Sequence, residues 1–253
     1  MDVDAANIER ARRRLTEAAW SARGPHIDLI RANFIELEQV LDSLGVTKAG
    51  VILADLGLST DQLLDASLGM SFTEDGPLDM RIDDRLTTTA ADLINSLNEK
   101  ELANLIYVNS QERYSRRIAK QICRARREKR LRRTSELVRI VCSALGVSDH
   151  SRPGKIHPAT RTFLAFRITV NNELENLKQF LESSCGCLSA GGRIAVISFH
   201  SGEDRLVKQA FRDGCDQGVY ARCSSGPLTP RPSEVRKNPR SASAKFRWAV
   251  LGG

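Results

Sequence analysis

No Cys-x-x-Cys pair occurs in this chain, although it has six cysteines, at positions 123, 142, 185, 187, 215 and 223. The spacing that grips zinc is therefore missing. Cys185-Gly-Cys187 alone is a weak metal signal, so no metal is expected and free buried thiols are. No apolar run approaches the roughly 20 residues that span a bilayer, and the N-terminus lacks a signal-peptide pattern. A soluble, cytoplasmic protein with no membrane partner is the expectation. No internal repeat is evident, which argues against a repeat array.

What is present is a chain of 253 residues, 41% of them hydrophobic. That suits one large domain, or one domain with an insertion. Lys and Arg number 38 against 31 Asp and Glu, a net charge of +7 with a pI near 9.3. The balance favours a polyanionic partner. Its densest stretch runs from Glu112 to Arg133. It holds Arg113, Arg116, Arg117, Lys120, Arg124, Arg126, Arg127, Lys129, Arg130, Arg132 and Arg133 against Glu112 and Glu128, a net of +9 (11 − 2). A charged helix face is usually only solvated. Like charges this dense repel one another, however, and destabilise a helix. RNA contact is therefore the reading for this stretch, with Arg116, Arg117, Lys120 and Arg124 as candidates. Tyr114 is its only aromatic, which gives stacking on bases little support.

Periodicity orders the rest. Residues 5–20 form an amphipathic helix with Ile8, Ala11, Leu15 and Ala18 on one face. Residues 26–30 read as a strand, 35–44 as a helix, and Ala49-Gly-Val-Ile-Leu-Ala54 as a buried parallel strand. Residues 87–145 are helical and charged, without strands, and a helix with a polar face follows in 155–180. Leu188-Ser-Ala-Gly-Gly192 reads as a turn into a strand over 193–199, followed by a helix. Residues 214–240 read as a long loop, and 244–251 as a final strand. Helices alternating with strands point to a doubly wound α/β sheet.

Two segments carry chemistry. Asp75-Gly-Pro-Leu-Asp-Met-Arg-Ile-Asp83 places three carboxylates and one guanidinium around a Gly-Pro turn. A solvated loop is the plain alternative. Asp55-Leu-Gly-Leu-Ser-Thr-Asp-Gln62 puts a carboxylate at the carboxyl end of a parallel strand, where open α/β sheets bind ligands.

These segments, followed by Lys155-Ile-His-Pro-Ala-Thr-Arg-Thr-Phe163, Gly191-Gly-Arg-Ile-Ala-Val-Ile-Ser-Phe-His-Ser201 with Glu203-Asp-Arg205, and Asn238-Pro-Arg-Ser-Ala-Ser-Ala-Lys245, resemble the RsmH/MraW family of ribosomal RNA cytosine-N4 methyltransferases. Five blocks in the family's order span positions 55 to 245. The resemblance implies a class I S-adenosylmethionine-dependent methyltransferase core, Rossmann-like and discontinuous (1–84 and 147–253), with an inserted helical, basic domain over 85–146. It implies S-adenosyl-L-methionine as methyl donor. The acceptor would be a cytidine in the decoding region of small-subunit ribosomal RNA, met within the small ribosomal subunit. A homodimer is kept open.

Carried over by position, the donor contacts are Asp2, Phe34, Asp55 and Gln62, with Asp2 on the ribose and Phe34 near the adenine. An ordinary core role for Phe34 is an equal alternative. Asp55, Asp79 and Asp83 are the catalytic candidates. His200 is a candidate for base or backbone contact, and Arg81, Arg161, Arg205 and Arg240 for phosphate. Arg205 pairing with Asp204 or Glu203 is the structural alternative, and His157 is expected to order the loop before Arg161. The chain departs from the family at Leu164, Gly202 and Ala242. Its first residues resemble the family's segment at the end of the second strand, so the first strand and its glycine-rich loop are expected to be missing, through a misplaced start or a true deletion. Loss of that central strand would bare a sheet edge with its apolar side chains. A catalytically inactive ribosomal-RNA-binding or ribosome-assembly factor is therefore the alternative function.

Overall fold

The computed structural model describes residues 1–17, 25–72, 74–148 and 157–253. Along the chain run α1 (Ala5–Glu17), α2 (Leu37–Ser43), β1 (Ala49–Asp55), α3 (Thr60–Leu64) and α4 (Ala90–Ser96). Next come α5 (Glu99–Ser110), α6 (Ser115–Glu128), α7 (Thr134–Leu145), α8 (Thr160–Val170) and α9 (Glu173–Ser183). The last elements are β2 (Leu188–Ser198), α10 (Ser201–Asp216), β3 (Tyr220–Cys223), α11 (Pro232–Lys237) and β4 (Lys245–Leu251). They fall into two compact units, Met1–Gly57 with Leu174–Gly253, and Leu58–Glu173.

The first unit is built on a four-stranded sheet in the order β1-β2-β4-β3. β1 and β2 are parallel, and β4 runs antiparallel to both β2 and β3. Alternation along the strands turns Ile52, Ala54, Ile194, Val196 and Ala249 to one face, where they pack with Leu177, Phe180, Leu181, Val207 and Phe211. Each such fully buried side chain contributes about 1.5–3 kcal/mol relative to exposure. Among the described residues β1 is an edge strand, and Val51 and Leu53 on its other face are 63% and 62% exposed. A parallel pair, continued on one side by two antiparallel strands and packed against helices, is consistent with the Rossmann-like core that the resemblance implies.

The second unit is helical. α6 shows why its sequence folds as it does. Ile118, Ala119, Ile122 and Cys123 lie one turn apart and face inward, all buried. They join Ile94, Leu102, Ile106, Leu137, Val141 and Phe166 in a single core. The expected insertion, 85–146, lies wholly within this unit, which extends further on both sides. Leu78 and Met80 before it, and Phe163 and Phe166 after it, bury themselves in the same core.

Five sequence expectations are corrected. The run at 49–54, expected as a buried strand, is the edge strand β1 with Val51 and Leu53 exposed. The helix expected in 155–180 is two, α8 and α9, broken at Asn171 and Asn172, where Asn172 takes φ +51°. Residues 26–30 are not a strand. Only a single parallel bridge forms nearby, between Asp2 and Arg31, with Asp2 N–H donating to the Ile30 carbonyl at 3.2 Å. One bridging residue cannot sustain a ladder. The turn expected at 188–192 is the first part of β2, where Leu188 pairs with Ala49 across an irregularity in register. The long loop over 214–240 contains β3 and α11; Pro232 starts the latter, where its missing N–H costs nothing. The first helix is described only to Glu17, so its expected continuation to residue 20 lies outside the described residues, as do Lys155 and Ile156.

Candidate active site

Asp55 ends β1, and the chain leaves the sheet through Leu56 and Gly57. Leu56 N–H still donates to the Ile197 carbonyl of β2, at 3.0 Å. β2 ends one residue later, and Phe199 and His200 follow. Asp55 and His200 thus stand on the same carboxyl edge of a parallel strand pair, where such sheets take their ligands. Gly57 has φ +92°, and a Cβ there would lie 3.3 Å from the Phe199 ring. Glycine permits both the turn and that approach.

Among the described residues, no side chain or backbone N–H hydrogen-bonds the Asp55 carboxylate. The residue is exposed at its surface, yet enough protein surrounds the carboxyl for desolvation to raise its pKa. A raised carboxyl pKa makes a stronger proton acceptor.

The other sequence-derived residues of this unit hold structure. Asp2 accepts from Asp4 N–H at 2.8 Å and from Asn7 Nδ2 at 2.9 Å. Ala32 N–H donates to its carbonyl at 3.1 Å, which ties the start of the chain to the segment before Phe34. Phe34 meets Phe180 edge-on, with centroids 5.3 Å apart. His200 is the N-cap of α10. Its Nδ1 accepts from Gly202 N–H at 3.2 Å and Glu203 N–H at 3.4 Å, while its Nε2 lies 3.3 Å from a Glu203 carboxylate oxygen. Glu203, buried, accepts in turn from Phe199 N–H at 2.8 Å. Arg205 is exposed and makes no ion pair with its neighbours among the described residues. Asp204 instead holds Arg247 at 2.7 Å and Lys245 at 3.0 Å, fastening α10 to β4. Burial would raise the Asp204 carboxyl, but those two cations bring it below its ordinary value.

In the second unit Gln62 is buried and closes a capping box on α3. Ser59 N–H donates to its Oε1 at 2.9 Å, and its own N–H donates to Ser59 Oγ at 3.1 Å. The charged loop is internally matched. Asp75 accepts from Arg133 Nε at 2.7 Å and from Ser135 N–H at 3.1 Å. Asp79 is gripped by both arms of Arg81, each at 2.7 Å. Asp83 is gripped by Arg85 at 2.8–3.0 Å. The Ser135 N–H, with help from Arg133, lowers the Asp75 carboxyl to about 2. Burial works to raise Asp79, but the bonds from Arg81 outweigh it and hold the carboxyl below its ordinary value.

The residue that sequence reasoning missed is Asn171. Its side chain, buried, donates to the Met80 carbonyl at 2.7 Å and accepts from Ile82 N–H at 2.8 Å. Between those contacts Met80 is fully buried with φ +64°, which is unusual for a residue with a side chain. Only a clamp from outside the loop over-determines such a turn. No local pattern links position 171 to position 80.

Arg116, Arg117, Lys120 and Arg124 are exposed on α6. Arg161 opens α8 with its guanidinium 3.9 Å from the buried Glu112 carboxylate. His157 orders this entry as expected: its Nδ1 accepts from Ala159 N–H at 3.1 Å, and its ring stacks on Phe72 with centroids 4.3 Å apart. No helix among the described residues is long and apolar enough to cross a membrane.

The donor that this fold implies carries a sulfonium cation and a ribose diol. The residues on the first unit suit both ends. Asp55 offers an unpaired carboxylate beside the sheet edge, and each Asp2 oxygen keeps a lone pair free beyond its one bond.

The chain is 45% identical over 262 residues to the ribosomal RNA small subunit methyltransferase H of Syntrophobacter fumaroxidans, a match covering 98% of this chain and 80% of that protein. It is 43% identical over 252 residues to the protein of the same name from Koribacter versatilis, covering 99% and 78%. The like-named protein of Anaplasma marginale is 46% identical over 221 residues, covering 87% and 75%. The family model described as the MraW methylase family matches residues 1–251. With its sheet, its carboxyl-edge aspartate and this near-complete match in agreement, the chain belongs to the MraW methylase family, whose methyl donor is S-adenosyl-L-methionine.

Proposed function

We propose that the chain methylates N4 of a cytidine in the decoding region of small-subunit ribosomal RNA. The names of the relatives support the RNA class. The observation that carries the chemistry is Asp55, a carboxylate with a raised pKa and no partner among the described residues, at the carboxyl end of a parallel strand.

Cytosine N4 is a weak nucleophile because its lone pair is delocalised into the ring. The donor supplies an electrophilic methyl on a sulfonium. The protein must hold the amine in line with that methyl, and positioning supplies much of the rate. As the N4–carbon bond forms, positive charge develops on the amine and a proton must leave. The Asp55 carboxylate faces that charge and takes the proton. Asp2 binds the ribose hydroxyls. Asp79 and Asp83, each already neutralised by an arginine, shape the loop rather than accept the proton. The target base turns out of its RNA stack to reach the site, as in other enzymes that act on base atoms. The exposed cations of α6 and Arg161, on the second unit, take phosphates of the same RNA. Acting on small-subunit RNA, the protein would meet its substrate within the small ribosomal subunit in the cytoplasm.

The test is nucleoside mass spectrometry of small subunits lacking the modification, incubated with this chain and isotopically labelled donor. Labelled N4-methylcytidine is expected with the native chain and a trace with Asp55→Asn. Label on another base or atom overturns the cytosine-N4 reading. RNA binding that is indifferent to the donor, with no methyl transferred, supports the inactive-factor alternative.

A further inference from the structure

The basic stretch of the second unit splits into two kinds of cation. Towards its C-terminal end most of the charges are anchored. Lys129 pairs with Glu136 at 3.1 Å, Arg130 with Asp92 at 3.1 Å and Arg133 with Asp75 at 2.7 Å, and Arg126 donates to the Ile94 carbonyl at 2.6 Å. Arg113, Arg116, Arg117, Lys120, Arg124 and Arg127 are different. All six are exposed, and among the described residues none has an ion pair or a side-chain hydrogen bond. Positions 117, 120, 124 and 127 are separated by steps of three and four, so they line one stripe opposite the buried face of α6, with Arg113 in the turn before the helix. At 1.5 Å per residue the helical stripe is about 15 Å long. Like charges at these spacings repel one another, and a polyanion lying along them removes that cost.

The stripe does not end in polar solvent-facing residues alone. Its N-terminal end meets the turn between α5 and α6. α5 buries Leu102, Ala103 and Ile106, which leaves Tyr107 57% and Val108 68% exposed. Tyr114, immediately before α6, is 57% exposed. Sequence distance hid this grouping, because Tyr107 lies before the basic stretch and only the α5–α6 turn brings it to the same end. A duplex keeps its bases stacked inside and offers phosphates, whereas an unpaired strand offers phosphates and bare base faces.

Resting on the RNA reading above, we infer that the α5–α6 hairpin binds an unpaired RNA segment. Its phosphates lie along the α6 stripe, and its bases stack on Tyr107 and Tyr114 at the turn. Charge complementarity selects a polyanion, and the exposed rings select one with open bases. The hairpin thereby distinguishes a locally melted RNA region from a regular helix.

The test uses the full 253-residue chain with two fluorescent probes, a twelve-nucleotide oligouridine and a twelve-base-pair RNA duplex, read by anisotropy at two salt concentrations. The double variant Tyr107→Ala/Tyr114→Ala is expected to weaken oligouridine binding by about tenfold or more, since each stacked base contributes on that order. Duplex binding should change less than about twofold. Tyr107→Phe/Tyr114→Phe should restore the oligouridine affinity, because stacking needs the ring and not the hydroxyl. The triple variant Arg117→Ala/Lys120→Ala/Arg124→Ala should weaken both probes and reduce the salt dependence by about two ion equivalents on the single strand. If the arginine variant loses binding while the tyrosine variant retains oligouridine affinity, the unpaired-strand inference is overturned and the RNA reading of α6 stands. Equal loss of both probes in the tyrosine variant also overturns it. If the arginine variant binds both probes like the native chain, the RNA reading of this face fails as well. All substituted side chains are exposed, so unchanged thermal melting is the control for folding.

Discussion

Asp55 and the aspartates of the 75–83 loop are the same residue type in opposite circumstances. The loop acids are each satisfied by an arginine a short distance along or across the chain. Asp55 has no such partner among the described residues, and desolvation raises its carboxyl where arginines and backbone N–H groups lower Asp75 and Asp79. A paired carboxylate stabilises a shape, whereas an unpaired one in a partly desolvated place is free to act on a substrate. The density of charge in a segment therefore says less about catalysis than the partner of each charge does.

The sharpest way to break that comparison is to neutralise each side. Asp55→Asn should lower methyl transfer by about 10²- to 10⁴-fold, the usual contribution of a positioned base, with thermal melting unchanged. Native-like turnover in that variant would remove Asp55 from the chemistry.

The loop side should fail through stability instead. A Cβ at Gly69 would sit 1.8 Å from the Pro77 carbonyl oxygen, at a backbone φ of +62°. Gly69→Ala should therefore cost more than about 2 kcal/mol in a urea titration. Asn171→Ala, which leaves the Met80 carbonyl and Ile82 N–H unpaired, should cost about 2–3 kcal/mol. If either variant melts like the native chain, the loop is not clamped as described.

The two sides also respond oppositely to pH. Asp75, depressed to about 2, contributes stability that is fully present above the ordinary carboxylate pKa and is lost as pH falls from there through about 2. Asp55, raised, acts in reverse: its burial favours the protonated form, a preference that is lost as pH rises through its folded value. Denaturant midpoints measured from neutral pH downwards should fall in acid, and Asp75→Asn should flatten that fall. An unchanged acid limb would show that the Asp75 contacts contribute nothing.

The smallest effect should come from Asp79→Asn. The amide still accepts one bond from Arg81, so stability should drop by about 1 kcal/mol or less and turnover by less than about tenfold. A loss as large as that of Asp55→Asn would put Asp79 in the reaction and end the distinction.

Much of this was legible beforehand. The β-branched run at 49–54 declared a strand parallel to its neighbour, with Asp55 at its ligand-binding end; burial on both faces did not follow, because β1 lies at the sheet edge with Val51 and Leu53 exposed. The inward face of α6 follows from Ile118 and Ile122 one turn apart. What failed to show was everything that depends on a distant partner. Residues 26–30 have strand-like composition but only Asp2 beside them. β3 sits in a glycine- and arginine-rich stretch and is a strand because β4 pairs with it. Phe34 and His200, candidates for ligand contact, respectively pack on Phe180 and cap α10.

The sequence by itself determined the family, the α/β core, the basic helical stretch and the identity of the acids available for chemistry, since these follow from residue types and short spacings. Only the tertiary structure decided which carboxylates are spent on arginines, which cations on α6 remain unpaired, and that Asn171 holds Met80 in place. Those outcomes depend on contacts between residues up to 91 positions apart. Local propensity and periodicity carry no information about a hydrogen bond across that distance.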